Sequence, residues 1–352
     1  MKTCGQFYVL GCDDGEEGGI YRCCLSAKTG MSVLGFTPLK GASYACFSPD
    51  GKFFYSTCRI DGEGGVASFK VLANGDLKFL NMVKSNGRSA CHVEATSDGK
   101  VLFVANYVTG NFLAFRLRKD GRIGGVHYEV EHEGSGPNKA RQECAHVHMC
   151  KFAPQGRLLA VMDLGCDAIM AYKLDEKWKI CDQTAYINPI EPEGSGPRHI
   201  VFKSEGNVAY LVNELLNTVM LLRYDQDGNF RIRQTLSTIP DDFTAFTKAA
   251  AIRLSPDEKY VYASNRGHDS IAIFKIGRYG RLSRTAIVSS KGVSPRDFNF
   301  LEDGKHVIMT NENTDNVIVC KWNPDDGGIT PTKWEIRIKH PLNVVLPVKK
   351  GM

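Results

Sequence analysis

The stretch CFSPDGKFFYSTC at residues 46–58 contains a pattern that recurs along the whole chain. An apolar run enters a short polar turn that contains Asp-Gly, and a second run rich in aromatic residues leaves it. Asp-Gly supplies the positive backbone φ that a tight hairpin needs, and the flanking runs have the composition of β-strands. The segment therefore predicts a β-hairpin.

The same pattern returns five more times, at intervals of 46–57 residues. The matching segments are VEATSDGKVLFVANY (93–107), KFAPQGRLLAVMD (151–163), VFKSEGNVAYLVNE (201–214), RLSPDEKYVYASNR (253–266) and FNFLEDGKHVIMTNE (298–312). A second pair of strands with its own turn follows each, as in GNFLAFRLRKDGRI at 110–123. Four-stranded repeats of about 45–50 residues are typical of β-propeller blades, whereas solenoid repeats are usually shorter. No long segment has helical periodicity, so we expect almost no helix.

The two ends of the chain predict a seventh blade. FYVLGCDDGEEGGIYRCCLSAKTGMSVL at 7–34 matches a repeat without its first strand, and HPLNVVLP at 340–347 resembles a first strand with nothing after it. Pairing the two would close the ring and remove exposed sheet edges. We therefore predict an all-β fold: one seven-bladed β-propeller domain over residues 1–352, with four-stranded antiparallel blades and one blade completed by both termini.

Composition excludes several classes of protein. The 352 residues are 43% hydrophobic and 24% charged with a formal net charge of +5, and no Lys/Arg run resembles a nucleic-acid arm or a membrane patch. No window approaches the ~20 apolar residues that span a bilayer, and acidic residues come too early for a signal peptide. The twelve Cys have no CxxC spacing, so we expect reduced thiols, a cytoplasmic location and no metal site. A nucleophilic role for Cys144, which lies beside two histidines, is less favoured.

Aligning the repeats on their turns predicts where polar side chains meet. The turn anchors are Asp50-Gly51, Asp98-Gly99, Gln155-Gly156, Glu205-Gly206, Asp257-Glu258 and Asp303-Gly304. Seven residues before each anchor stand Ser43, Cys91, His148, Arg198, Ala250 and Arg296; nine after it stand Arg59, Tyr107, Leu164, Glu214, Arg266 and Glu312. Both positions fall at the same end of antiparallel neighbours. We therefore expect a functional cluster at one mouth of the central channel, with an ordinary salt-bridge network as the alternative.

The residue before the later position has a structural interpretation. It is Cys58, Asn106, Asp163, Asn213, Asn265 and Asn311 in the successive repeats. Asn and Asp side chains bond nearby backbone groups in turns, so we expect this column to hold the ends of the strands.

Loops bring further candidates to the same mouth. The longest interval contains EHEGSGPNKARQECAHVH at 131–148, which we expect to arch over the channel and bring Arg141, Gln142 and His146 near His148. EGSGPRH at 193–199 and KGVSPRDF at 291–298 place Pro directly before an Arg, and SNRGHDS at 264–270 adds His268.

These motifs together resemble one known family. GSGP…RQ…HVH, SGPRH…VNE, SNRGHDSIAIF and SPRDF occur in this order in the lactonase family of seven-bladed propellers, which includes bacterial cytosolic 6-phosphogluconolactonase and fungal carboxy-cis,cis-muconate cyclase. The resemblance covers roughly residues 5–348. It implies a propeller without metal or other cofactor and a catalytic set of His148, Arg198, Glu214 and Arg266. Two departures are SNGRSACH at 85–92, which lacks a Pro-His entry, and the Asp257-Glu258 anchor.

The resemblance implies hydrolysis of a small anionic sugar lactone, 6-phosphogluconolactone to 6-phosphogluconate, within the pentose phosphate pathway. His148 or Glu214 would be the general base, with the unperturbed pKa of histidine favouring His148. Arg198 and Arg266 would stabilise the oxyanion. The expected substrate-binding residues are Arg296, Arg141, Gln142, His146, Tyr107 and His268.

Three alternatives stay open from the sequence. A muconate-cyclising isomerase needs a proton donor and anion-binding arginines, so the same side chains would serve it. A lactonase for an unphosphorylated sugar acid is a related possibility. A non-catalytic propeller scaffold is the third, although no Trp-Asp repeat signature is present. For the enzymes we expect a small anionic lactone or a muconate-type acid as the partner, and no nucleic acid, membrane or obligatory protein partner.

Overall fold

The computed structural model describes residues 3–154, 156–181 and 185–348, and these form a ring of seven four-stranded antiparallel sheets. Blade 1 contains β1 (Thr3–Gly11), β2 (Gly19–Ser26), β3 (Gly30–Pro38) and β28 (Pro341–Val345). Blade 2 contains β4 (Ala45–Phe47), β5 (Phe53–Ile60), β6 (Glu63–Val71) and β7 (Leu77–Lys84). Blade 3 contains β8 (Ala90–Ala95), β9 (Val101–Asn106), β10 (Asn111–Leu117) and β11 (Ile123–Glu131). Blade 4 contains β12 (Val147–Phe152), β13 (Leu158–Asp163), β14 (Ala168–Lys173) and β15 (Tyr186–Pro189).

The remaining blades repeat the same order. Blade 5 contains β16 (Pro197–Phe202), β17 (Val208–Asn213), β18 (Thr218–Tyr224) and β19 (Phe230–Ser237). Blade 6 contains β20 (Lys248–Leu254), β21 (Tyr260–Arg266), β22 (Ser270–Ile276) and β23 (Leu282–Ser289). Blade 7 contains β24 (Pro295–Phe300), β25 (His306–Asn311), β26 (Asn316–Trp322) and β27 (Ile329–Arg337). Within the described ranges the only helices are two short 3₁₀ turns, Arg278–Gly280 and Glu312–Thr314, and no helix could cross a membrane.

The two chain ends share blade 1, as predicted. β28 is the innermost strand of that sheet and pairs with β1 through Tyr8↔Val345, Val9↔Val344 and Leu10↔Asn343. The seven-bladed all-β prediction is therefore confirmed, including the blade built from both ends of the chain.

The hydrophobic core lies between neighbouring blades. The second strands β9, β13 and β17 are buried at every residue, whereas the outer strand β11 is buried only at Ile123 and half-buried or exposed elsewhere. Between blades 3 and 4, for example, Phe103 and Phe112 pack against Val161 and Tyr172. Each sheet thus covers the apolar face of the next one, and the ring leaves its inner strand ends free to carry polar groups.

Five of the six turn anchors contain a residue with the predicted positive φ. Gly51 and Gly99 have φ of 68° and 67°, whereas Gln155 of the third anchor lies outside the described residues. Glu258, which departs from the Asp-Gly pattern, also has a positive φ of 51°. Its carboxylate accepts a hydrogen bond from the backbone of Ser204 (2.9 Å) and forms an ion pair with Lys203 (3.1 Å) of blade 5. These bonds between blades offset the cost of the left-handed conformation, about 1–2 kcal/mol.

In blades 3, 6 and 7 the Asn of this column ties the blade to the one before it. Asn106 Nδ2 donates to the Ser85 carbonyl (2.8 Å) after β7, and Ser85 Oγ donates back to Asn106 Oδ1 (2.6 Å). Asn265 and Thr238 repeat both bonds at 2.8 and 2.6 Å. The geometry agrees with the structural role expected for this column.

Replacing Asn343 by Ala is expected to weaken ring closure. Asn343 is buried in β28, donates to Asp297 Oδ2 of blade 7 (2.6 Å) and accepts from the Ala45 N–H of blade 2 (3.1 Å). The change leaves the Ala45 N–H without its acceptor and removes one donor from Asp297, so the free energy of unfolding should fall by about 1–3 kcal/mol in urea titrations. The control is Asn323→Ala in an exposed turn, and an equal effect of both changes would contradict this role of Asn343.

Candidate active site

A β-bulge at one end of the inner strands sets the direction of the aligned side chains. In β16, Pro197 pairs with Asn213 and His199 pairs with Val212, which leaves Arg198 as the extra residue. The register shifts at the same place in six of the seven inner strands; the extra residues are Leu342, Cys91, His148, Arg198, Ala250 with Ala251, and Arg296. The extra residue of a β-bulge is not paired in the strand ladder, and the bulge changes the direction of its side chain. The column seven residues before each anchor is therefore the bulge column in blades 3–7.

Glu214 lies at the centre of the cluster at this end, where three arginines contact its carboxylate. Its backbone N–H donates to the Gly196 carbonyl (2.7 Å), which fixes the residue beyond β17. Arg198 Nε lies 3.0 Å and Arg266 Nη2 lies 2.8 Å from its Oε2, while Arg141 Nη2 lies 2.6 Å from its Oε1. Burial alone would raise the pKa of this carboxyl, but the arginine charges outweigh it and hold the pKa well below 4.5. Glu214 is thus ionised, and it gathers arginines from two blades and one loop.

The two buried arginines also bond neighbouring backbone. Arg198 Nη1 donates to the Ala250 carbonyl (2.6 Å), and Arg266 Nη2 donates to the Ala249 carbonyl (2.8 Å). The buried Nε of Arg266 has no acceptor within the described part of the chain. Burial and the positive charges of Arg296 and Arg266 lower the pKa of Arg198 to about 9, so it stays charged at neutral pH. This excess of positive charge in a buried place attracts anions.

His148 lies beside the arginines as a neutral imidazole. Its ring is 5.5 Å from the Tyr107 ring and 5.0 Å from the His199 ring, both edge-on. Burial and then the charge of Arg198 hold the pKa of His148 well below 6.5. Its buried Nδ1 has no hydrogen-bond partner among the residues described. The ring is therefore in its basic form at neutral pH, with its Nδ1 open to a hydrogen bond from a ligand or water.

The loop at 131–148 delivers two of its three predicted residues to the cluster. Arg141 donates to Tyr107 Oη (3.1 Å) as well as to Glu214. His146 stacks on the Tyr107 ring at 4.5 Å and its Nδ1 lies 2.9 Å from the Tyr107 carbonyl. Tyr107 is thus clamped between this loop and His148.

Gln142 and His268 do not reach the cluster. Gln142 is fully buried and bonds the backbone of Asn138 (3.1 Å) and Leu164 (2.9 Å), so it holds the loop in shape. His268 Nδ1 bonds Ser270 Oγ (2.7 Å), and its ring packs edge-on against Phe243. Both residues were predicted from their neighbours in the sequence, and their side chains point into local structure instead.

A cavity of about 450 Å³ opens between blades 6 and 7 next to Arg266. Its lining includes Arg296, which was predicted, and Lys248, Phe246 and Glu312, of which none was assigned a role from the sequence. Lys248 pairs directly opposite Arg266. The sequence could have indicated this only if the position of the bulge in β20 were known.

A second layer of polar rings lies beneath the cluster, and these residues were not predicted from the sequence. Tyr44 packs on His92 with centroids 4.4 Å apart, and His92 and His199 are 6.0 Å apart. A small cavity of about 30 Å³ lies among Tyr44, His199, Arg198, Asp297 and their neighbours. Tyr44, His92, His199 and Asp297 all stand six positions before their anchors, so the next column of the same alignment contained the signal.

One group of side chains at the rim has atoms close enough to hold a metal ion. Potential ligand atoms of Glu143, Cys144 and His146 lie within 4.8 Å of one another, and this is the only such group in the described ranges. Glu143 and Cys144 are exposed, and a structural zinc site normally has four protein ligands.

Comparisons with known proteins agree with this architecture. The family model described as "Lactonase, 7-bladed beta-propeller" matches residues 6–346. A Bacillus subtilis protein named 6-phosphogluconolactonase is 35% identical over 309 residues, 87% of each chain. The crystal structure of a putative 6-phosphogluconolactonase from Bacteroides fragilis superposes with a TM-score of 0.87 at 30% identity, over 96% of each chain. The periplasmic gluconolactonase of Pseudomonas aeruginosa gives a TM-score of 0.88 at 27% identity, over 97% of this chain and 100% of that one. The chain therefore belongs to the seven-bladed β-propeller lactonase family.

Proposed function

We propose that the protein hydrolyses the internal ester of a small anionic sugar lactone, and that this lactone is 6-phosphogluconolactone. The observation that carries the proposal is the neutral His148 next to two buried arginines that share one carboxylate, Glu214. Such a site offers a proton acceptor beside fixed positive charge, which lactone hydrolysis requires. The name of the Bacillus subtilis relative supports the choice of substrate. The cytoplasmic location remains a prediction from the sequence.

In this mechanism His148 takes a proton from a water molecule whose oxygen attacks the lactone carbonyl carbon. The carbonyl oxygen becomes an oxyanion, which Arg198 and Arg266 stabilise by charge and hydrogen bonds. The tetrahedral intermediate then expels the ring oxygen, and that oxygen receives the proton from the His148 imidazolium. The product is the open-chain hydroxy acid.

Glu214 acts as a positioning residue in this proposal and not as the base. Its two carboxylate oxygens already receive three arginines, and the resulting field keeps it ionised. Proton transfer to Glu214 would weaken all three contacts at once. Between the two bases expected from the sequence, the geometry therefore favours His148.

Gluconolactone is the second candidate substrate, because the Pseudomonas aeruginosa neighbour is named a gluconolactonase. Muconate cyclisation is less favoured. It requires a proton donor, and the pKa of His148, lowered by burial and Arg198, leaves this ring deprotonated at neutral pH.

The activity is tested by pH-stat assays on 6-phosphogluconolactone, gluconolactone and arabinolactone, with carboxymuconate followed by absorbance. Because sugar lactones hydrolyse spontaneously, the rate above background is the quantity to compare. We expect the largest acceleration with 6-phosphogluconolactone. A chain that accelerates none of the four reactions would overturn the proposal.

Arg198→Ala is expected to lower kcat by about 10²–10³-fold, the usual loss when one oxyanion donor is removed. Arg198→Lys keeps the positive charge but not the several donors of the guanidinium, so its kcat should lie between those of Arg198→Ala and the wild type. The control is Arg231→Ala, an exposed position on β19. Circular dichroism and melting curves must show that each variant folds, and a folded Arg198→Ala protein with wild-type turnover would refute the assignment.

The pH profile should report His148. A histidine whose pKa is lowered stays in its basic form to lower pH, so kcat/KM should fall only well below pH 6.5 as His148 becomes protonated. Burial, Arg198 and Arg296 all lower this pKa, while Glu214 opposes them. His148→Asn should retain little activity and lose the acidic limb. An acidic limb that persists unchanged in His148→Asn would assign the base elsewhere.

A further inference from the structure

Three cations, Lys248, Arg266 and Arg296, line the cavity between blades 6 and 7. Lys248 and Arg266 are directly opposite in the β20–β21 pair, where Cβ atoms lie about 4.5–5.5 Å apart and like charges repel. Arg266 is compensated by Glu214. Lys248 has no ion pair or hydrogen bond from its amino group among the described residues.

Arg296 approaches the same cavity from blade 7. It is the bulge residue of β24, half-buried, and its guanidinium has no ion-pair partner in the part of the chain described. Cations that share one cavity repel each other, and a bound anion would relieve that repulsion. Glu312 is the one carboxylate in the lining, and it accepts a hydrogen bond from Ser294 Oγ (3.1 Å). Its oxygens lie more than 4 Å from the charged nitrogens of Lys248 and Arg296. Positive charge therefore exceeds negative charge in this cavity.

The shape of the cavity suits one end of a sugar phosphate. Its volume of about 450 Å³ exceeds what a phosphate fills, and Phe246 and Val293 add apolar surface to the lining. Phe246 is 81% exposed on the loop before β20, so its ring is accessible to a molecule in the cavity. Arg266 belongs to both this cavity and the Glu214 cluster, so a molecule bound here would extend to the reacting groups.

We propose that Lys248 and Arg296 form the binding site for the phosphate of the substrate, with Phe246 as the wall against the sugar chain. The inference rests on the proposed lactone hydrolysis and names the groups that select a phosphorylated lactone over a plain one. A phosphate offers three acceptor oxygens, enough for an ammonium group and a guanidinium fork together.

The electrostatics of Lys248 agree with this assignment. Burial, followed by the charge of Arg266, lowers the pKa of Lys248, with smaller effects of the same sign from Arg141 and Arg296 and an opposing one from Glu214. A bound dianion would reverse this effect and stabilise the charged amine. The oxyanion donors Arg198 and Arg266 remain separate from this role, because both are already held by Glu214.

The test measures kcat/KM above background for 6-phosphogluconolactone and gluconolactone in the wild-type chain, Lys248→Met and Lys248→Arg. Lys248→Met should lose about 10–100-fold on the phosphorylated lactone, the usual size of a charge-assisted contact, and change less than about twofold on gluconolactone. Lys248→Arg should restore most of the loss. The matched control is Lys275→Met, an exposed lysine of β22 in the same blade, which should behave as wild type on both.

A second measurement separates this inference from the proposed function. Calorimetric titration with 6-phosphogluconate and with inorganic phosphate should show affinities that Lys248→Met and Arg296→Met both weaken. If the wild-type chain hydrolyses lactones but Lys248→Met changes kcat/KM equally for both lactones, the phosphate site is wrong and the lactonase proposal stands. If no lactone is hydrolysed while phosphate binding depends on Lys248, the lactonase proposal fails and the anion site stands. If folded Lys248→Met binds 6-phosphogluconate as tightly as wild type, the site is overturned directly.

Discussion

The pairing of β28 with β1 is the constraint on which the rest of the structure depends. A blade buries its faces only against its two neighbours, so an open ring would expose the apolar faces of its first and last sheets. Closure by both chain ends removes that problem and places the inner strand of blade 1 between blades 7 and 2. Asn343 then bonds Asp297 on one side and Ala45 on the other, while Asp297 also receives Arg253 of blade 6. The inner strands are thereby joined by polar contacts as well as by the core.

The same ring explains why charged groups can be buried at its mouth. Separate blades deliver Arg198 and Arg266 to Glu214, and the loop between blades 3 and 4 delivers Arg141. A buried carboxylate without such partners would be unstable, and buried arginines without it would repel one another. The three ion pairs are therefore interdependent. Their geometry is held by strands anchored in the core, which suits the charge stabilisation that we propose for this site.

Much of the site could be predicted because each repeat has the same length from turn to strand end. Counting from the anchors found His148, Arg198, Glu214, Arg266 and Arg296, which the bulges and strand ends bring to one mouth. Neighbours in the sequence were a poorer guide. Gln142 and His268 follow or flank cluster residues, yet their side chains turn to Leu164 and Ser270 because loop and turn backbones set their own directions.

The sequence by itself determined the number of blades, the shared blade and the columns in which polar residues recur, because hairpin turns and strand patterns are local and repeat with the chain. Only the tertiary structure decided which members of those columns meet. The bulge in β20 places Lys248 opposite Arg266, and ring closure places Arg296 across the same cavity. The tertiary structure also decided the protonation states of His148 and Glu214, because these depend on burial and on charges from blades far apart in the chain. Register and burial are properties of the assembled ring, and no single repeat contains them.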